Sequence, residues 1–258
     1  MHYAIPISQR LKKLIRSLHQ RQHRDQNFLF IAEGEKLCEE LLKSTFIPEL
    51  IVTRDSSSQS IIELTDKFHE RGVPIYSAPK HQFDQMTDAK SPQSIFAVVN
   101  KKESEIEANK PFIALDGLQD PGNVGTIIRT AEWFGFDQVI VGGGSADYYG
   151  PKAVRASMGS IFFSKLKYVD DLASYLDENF SDIEKIGASL GSDNQLISFK
   201  PKSKEFGLVF GSESKGISAE VMEKVDSQFE IKGIGKTESL NVSIAVGISL
   251  YYFTNMNS

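Results

Sequence analysis

Apolar residues along this chain follow two spacings, and the alternation between them predicts its architecture. Phe28 to Ala32, Leu50 to Val52, Val73 to Tyr76 and Ile95 to Val99 are short apolar runs of strand type. Between them lie helical patterns over residues 35–43 and 61–71 and a short one through Phe83. Before them, Ser8 is placed to cap a helix on which Leu11, Leu14, Ile15 and Leu18 share a face. Residues 101–110, KKESEIEANK, carry no apolar stripe and read as a linker. The alternation then resumes. Phe112 to Leu115 runs as a strand into Asp116-Gly117, and the turn residues of 120–125 predict a loop. From Thr126 a helix places Ile127, Ala131 and Phe134 on one face, Gly135 stops it, and Gln138 to Val141 returns as a buried strand. Further strands are expected at 167–169, 185–189, 207–210 and 229–231, with helices at 171–180 and 240–253. This is an α/β chain of two domains: a small α/β layer at 1–98, a linker at 99–110, and a parallel sheet flanked by helices at 111–258.

The last predicted helix breaks the usual amphipathic rule. Leu240, Val242, Ile244, Val246, Ile248, Leu250, Tyr251 and Phe253 surround it almost completely, so it must be covered on more than one side. The sheet can cover one side and a second copy of the chain the other, which predicts a homodimer.

Composition narrows the field. Across 258 residues, 40% are hydrophobic and 24% charged, and no segment approaches the ~20 apolar residues that span a bilayer. With no secretory signal pattern near the start, a cytoplasmic protein away from membranes is expected. Cys38 is the single cysteine, which excludes an internal disulfide and a cysteine-rich metal site, and it sits among leucines as a packing residue. His19 and His23 have the spacing of a helical metal pair but no third ligand, so no metal is expected. The net charge of −5 argues against a protein that simply coats nucleic acid. Its distribution qualifies this, because residues 1–24 contain Arg10, Lys12, Lys13, Arg16, Arg21 and Arg24 with no acid, a surface suited to RNA phosphates.

The strand-loop-helix-strand unit at 112–141 sets its loop at the carboxyl end of a strand, where open α/β sheets collect ligands. There Asn123 offers an amide that both donates and accepts, and Arg129 a fork of donors suited to phosphate. Read alone, Asn123 could equally set a turn and Arg129 face solvent. Phosphate-loop and dinucleotide-glycine patterns are absent from the chain.

The string DPGNVGTIIRT at 120–130, with GSESKG at 211–216 and SLNVSIA at 239–245, resembles the three ordered motifs of the SpoU/TrmH family of RNA ribose 2′-O-methyltransferases, within the SPOUT superfamily. FLFIAEGEKLCEELL at 28–42 resembles, more loosely, the L30e-like substrate-binding domain that precedes the catalytic domain in many members. The resemblance implies a trefoil-knotted methyltransferase domain, which spacing and periodicity do not reveal. It further implies S-adenosylmethionine held largely by main-chain groups at Ser189, Gly211, Ile231, Leu240 and Ser243, and a site shaped by Asn123, Arg129, Glu213, Ser239 and Asn241. Relatives often carry proline after Ile231, where this chain has Lys232. Arg129 is assigned to activating the ribose hydroxyl. Because a guanidinium stays charged at physiological pH, it can instead anchor the phosphate and the developing alkoxide while solvent or Glu213 takes the proton. Lys152 and Arg155 either hold RNA phosphates or pair with helix ends and acids. The expected activity is methylation of RNA, with ribosomal RNA favoured over transfer RNA because an accessory domain precedes the catalytic one; an RNA-binding or assembly protein that keeps the fold without the activity is the alternative of a different class.

Overall fold

The structure, a computed structural model, describes residues 3–256 and divides into two compact units. Of the described residues, the first comprises 3–102 and 147–162, the second 103–146 and 163–256. The division falls at the start of the predicted linker, and residues 147–162, expected within the second domain, group with the first unit.

In the first unit the order is β1 (Ile5–Pro6), α1 (Gln9–Ser17), α2 (Arg21–Asn27), β2 (Leu29–Glu33), α3 (Glu35–Lys43), β3 (Pro48–Arg54), α4 (Gln59–Glu70), β4 (Ile75–Ala78), α5 (Lys80–Asp84) and β5 (Ile95–Asn100). The strands form a mixed sheet, β1-β4-β3-β5-β2, antiparallel at β3-β5 and β5-β2. Ser8 does cap α1, its hydroxyl accepting from Leu11 N at 3.2 Å, and Ile15 and Leu18 are fully buried beneath it. α2 was not foreseen, since its sequence RQHRDQN has no apolar stripe to betray it. It turns Arg24 inward, contrary to the expectation of a phosphate-facing residue. The Arg24 guanidinium, 4% exposed, donates to Asp147 Oδ2 at 2.7 and 3.0 Å and to the Leu18 and His19 carbonyls at 2.8 and 2.9 Å. A buried charge needs such complete partnering, and this pair fastens residues 147–162 to the unit. α7 (Pro151–Ser157) then packs on β2, and the Tyr149 phenol, which burial pushes up to about 12, donates to the Lys102 carbonyl at 2.9 Å. Cys38 is buried, and loss of hydration raises its thiol far above the ordinary range, so it is a packing residue as expected.

The second unit runs β6 (Phe112–Asp116), α6 (Pro121–Trp133), β7 (Gln138–Gly142), β8 (Lys165–Val169), α8 (Leu172–Asn179), β9 (Glu184–Ala188), β10 (Phe206–Gly211), α9 (Ala219–Met222), β11 (Ser227–Phe229) and α10 (Val242–Asn255). Its sheet, β11-β9-β10-β6-β7-β8, is parallel throughout, the architecture the alternating pattern predicted. The end of the predicted linker is pinned: the buried Gln138 amide accepts from Glu107 N at 2.6 Å and donates to Glu107 O at 3.1 Å, while Lys165 pairs with the Glu107 carboxylate. No helix among the described residues is long and apolar enough to cross a membrane.

Candidate active site

β10 lies beside β6 in parallel register, Gly211 opposite Asp116, so the chain leaves both strands at the same edge of the sheet. From β6 it enters α6 five residues earlier than the turn-rich sequence suggested. Asp120 is the N-cap, its carboxylate accepting from Gly122 N at 2.7 Å and Asn123 N at 3.1 Å, and Pro121 takes the first helical position, where its missing N–H costs nothing. The expected loop at 120–125 is therefore mostly helix. Asn123 is held in the first turn, not in a loop. From β10 the chain closes a tight loop in which Ser212 N donates to Gly216 O at 3.0 Å and Gly216 N to Ser212 O at 2.8 Å. Gly216 has φ +69°, and a Cβ on Gly211 would collide with the Gly216 carbonyl carbon, so both glycines are required by this closure. Asp116 Oδ2 accepts from Ser218 N at 2.6 Å and ties the loop's exit to the end of β6.

Asn241 brings in the third segment. It is the N-cap of α10, its Oδ1 accepting from Ser243 N at 2.9 Å and Ser243 Oγ at 2.6 Å. Its amide is left to donate to Asn123 Oδ1 at 3.1 Å, and Asn123 Nδ2 in turn donates to Glu213 Oε1. Ser243, Asn241, Asn123 and Glu213 thus form one hydrogen-bonded relay in which every donor points toward the Glu213 carboxylate. A relay of this kind fixes both amide orientations and aims the carboxylate. All three motif segments meet in it.

Three of the expected cofactor positions lie beside one another at the ends of adjacent parallel strands: Ser189 follows β9, Gly211 ends β10, and Ile231 follows β11 by two residues. Among the described residues neither Ile231 nor Leu240 commits its main-chain groups to a hydrogen bond, so both can receive a ligand. Main-chain donors and acceptors at the carboxyl edge of a parallel sheet fit the adenosine and amino-acid groups of S-adenosylmethionine. Among the described residues no group of three or more His, Cys, Asp or Glu could hold a metal ion.

Two expected site residues stand apart from the relay. Ser239 is exposed and makes no hydrogen bond among the described residues. Arg129 is likewise exposed and unpaired among them; lying six residues beyond Asn123, it projects about 120° round α6 and ~9 Å along it. Of the expected RNA contacts, Arg10, Lys13 and Arg16 are exposed on α1, Lys12 donates to Gln82 Oε1 at 2.9 Å, and Lys152 is exposed. Arg155 is engaged elsewhere, with Asp88 at 2.6 Å and Glu33 at 3.8 Å. Asp116 and Asp120 are site-building residues that the reading by motif passed over. The Asp-Pro step at 120–121 carries a helix-start signal that could have revealed the second.

A wholly parallel sheet with a polar relay at its carboxyl edge defines an α/β enzyme of the kind that binds a nucleotide-like ligand there. The comparisons sharpen that class. Residues 110–251 match the model of the SpoU rRNA Methylase family, and residues 9–97 that of the MRM3-like substrate binding domain. The 23S rRNA (guanosine(2553)-2′-O)-methyltransferase RlmP of Bacillus subtilis (strain 168) is 34% identical over 92% of this chain and 93% of its own. The crystal structure of an AdoMet-bound rRNA methyltransferase from Sinorhizobium meliloti aligns with TM-score 0.86 and 26% identity, covering 98% of this chain and 97% of that one. A putative RNA methyltransferase of the TrmH family from Porphyromonas gingivalis aligns with TM-score 0.80 and 30% identity over 98% and 99%. The chain belongs to the SpoU methylase family: it is an RNA 2′-O-methyltransferase that uses S-adenosylmethionine.

Proposed function

We propose that the protein methylates a ribose 2′-hydroxyl of large-subunit ribosomal RNA in the cytoplasm, working as a homodimer whose carboxy-terminal region carries the family's trefoil knot. The observation that carries this reading is the relay joining Asn241, Asn123 and Glu213, because it assembles the three motif segments into one polar centre. The relative that acts on 23S rRNA, similar over nearly the whole of both chains, supports the target.

S-adenosylmethionine supplies an electrophilic methyl carbon on a sulfonium. The chain's residues do the rest. Main-chain groups of Gly211, Ile231 and Leu240, with Ser189 and Ser243 beside them, hold and orient the donor. Asn123 and Asn241 fix Glu213, which takes the proton as the ribose oxygen bonds to carbon and the carbon–sulfur bond breaks. Arg129, set apart from the relay, anchors the RNA phosphate, and Ser239 shapes the approach. Dimer formation is supported by α10, on which Ile244, Ile248 and Tyr251 line an exposed apolar face, with Trp133 of α6 81% exposed.

The test is ribose-methylation mapping of total RNA from cells with and without the protein. One large-subunit position should lose its methyl group and regain it on incubation with purified protein and cofactor. Loss at a transfer RNA position instead would replace the target, and no loss anywhere would overturn the reading.

A further inference from the structure

Within the first unit, α1 and α5 enclose an open pocket of about 300 Å³. Lys12, Lys13 and Arg16 line one side, His81 and Gln82 the other, with the buried Met86 among the lining residues. No acid lines it. The acid at the end of α5, Asp84, is held by Arg54 at 2.6 Å, so it does not neutralise the cations. His19 Nε2 donates to Met86 O at 2.9 Å, which fixes the chain at this point.

Three cations on one wall suit phosphate; the exposed His81 imidazole suits the face of a base, and the Gln82 amide, whose oxygen accepts from Lys12 at 2.9 Å, keeps its N–H groups to read a base edge. The volume lies at the small end of the ~300–1,000 Å³ of small-ligand pockets, room for one nucleotide and not for a duplex. Resting on the RNA reading above, we propose that this pocket captures a single unpaired nucleotide of the substrate RNA, its phosphate against Lys12, Lys13 and Arg16 and its base against the exposed His81. The site therefore selects an RNA segment with a splayed-out residue.

Binding of a short fluorescein-labelled single-stranded RNA to the full-length protein, across a salt series, tests this. Lys13 and Arg16 are exposed and carry no partner among the described residues, so Lys13→Gln/Arg16→Gln should fold normally. Removing two of the three cations that hold the phosphate should weaken binding about tenfold near 0.15 M salt and reduce the slope of log K against log salt by about 0.7. Lys67→Gln/Lys90→Gln, which removes equal charge from elsewhere in the unit, should change affinity less than about twofold. The loss should be confined to single-stranded RNA and absent for the duplex of the same sequence, and inorganic tripolyphosphate should compete poorly. Equal losses in both double variants, an equal loss for duplex, or full competition by tripolyphosphate would overturn the proposal. Calorimetric binding of S-adenosylmethionine to the same variant should be unchanged. If it is lost already in the wild type, the methyltransferase reading fails while the pocket stands or falls on its own data.

Discussion

Asn241 has two duties, and they separate chemically. Its oxygen caps α10, while its amide donates into the relay toward Glu213. Aspartate caps helices as well as asparagine but cannot donate at neutral pH, so Asn241→Asp should leave stability within about 0.5 kcal/mol. Methyl transfer should nonetheless fall about tenfold or more, as read by single-turnover assay beside a thermal melt; equal losses in both would make Asn241 a cap and nothing else. A second residue-scale effect concerns Glu33. Its carboxyl is buried, and desolvation raises it above the usual carboxylate range despite a bond from Gln93 N at 3.1 Å and Arg155 nearby. The folded state therefore holds this proton more tightly than the unfolded chain, and stability falls as pH rises from the ordinary value of ~4.3 through the folded value. Urea unfolding across that window should show Glu33→Gln gaining stability on the wild type as pH increases; a constant difference would mean that Glu33 does not titrate there.

At the scale of elements, the entry to α6 decides the geometry of the relay. Glycine and asparagine in DPGNVG read as a turn, yet Asp120 and Pro121 satisfy the start of a helix so well that the same residues form its first turn. Asp120→Ala should cost about 1 kcal/mol and lower the midpoint in urea. Because Asn123 N is one of the groups capped, cofactor-dependent activity should fall further than the stability loss accounts for; activity tracking stability alone would count against this coupling. α10 follows the opposite logic. It has almost no polar face, and the side packed on α6 and β10 buries Val242, Val246, Ser249, Leu250 and Phe253.

For the whole molecule the uncovered side of α10 is the outstanding feature, since contiguous exposed apolar surface of this kind marks an interface. Light scattering should give twice the mass of the 28.8 kDa chain, and Ile248→Lys/Tyr251→Glu should return the monomer mass with the fold intact. A wild-type monomer would remove the dimer. The sequence by itself determined the alternation of strands and helices, and with it the parallel second sheet, because side-chain periodicity and turn residues act locally; the roles expected of the three motif segments rest on their resemblance to a family and not on periodicity. It also showed α10 to be apolar on most sides, as its sequence VSIAVGISLYYFTN reads. Only the tertiary structure decided that Arg24 and Arg155 are spent on Asp147, Asp88 and Glu33 while Lys13 and Arg16 stay open, and that residues 147–162 belong with the first unit. A charged side chain carries the same label in the sequence whether it faces water or a buried carboxylate. Which it meets is settled by strands and helices far apart along the chain, and so is the convergence of Asn123, Glu213 and Asn241 at one edge of the sheet.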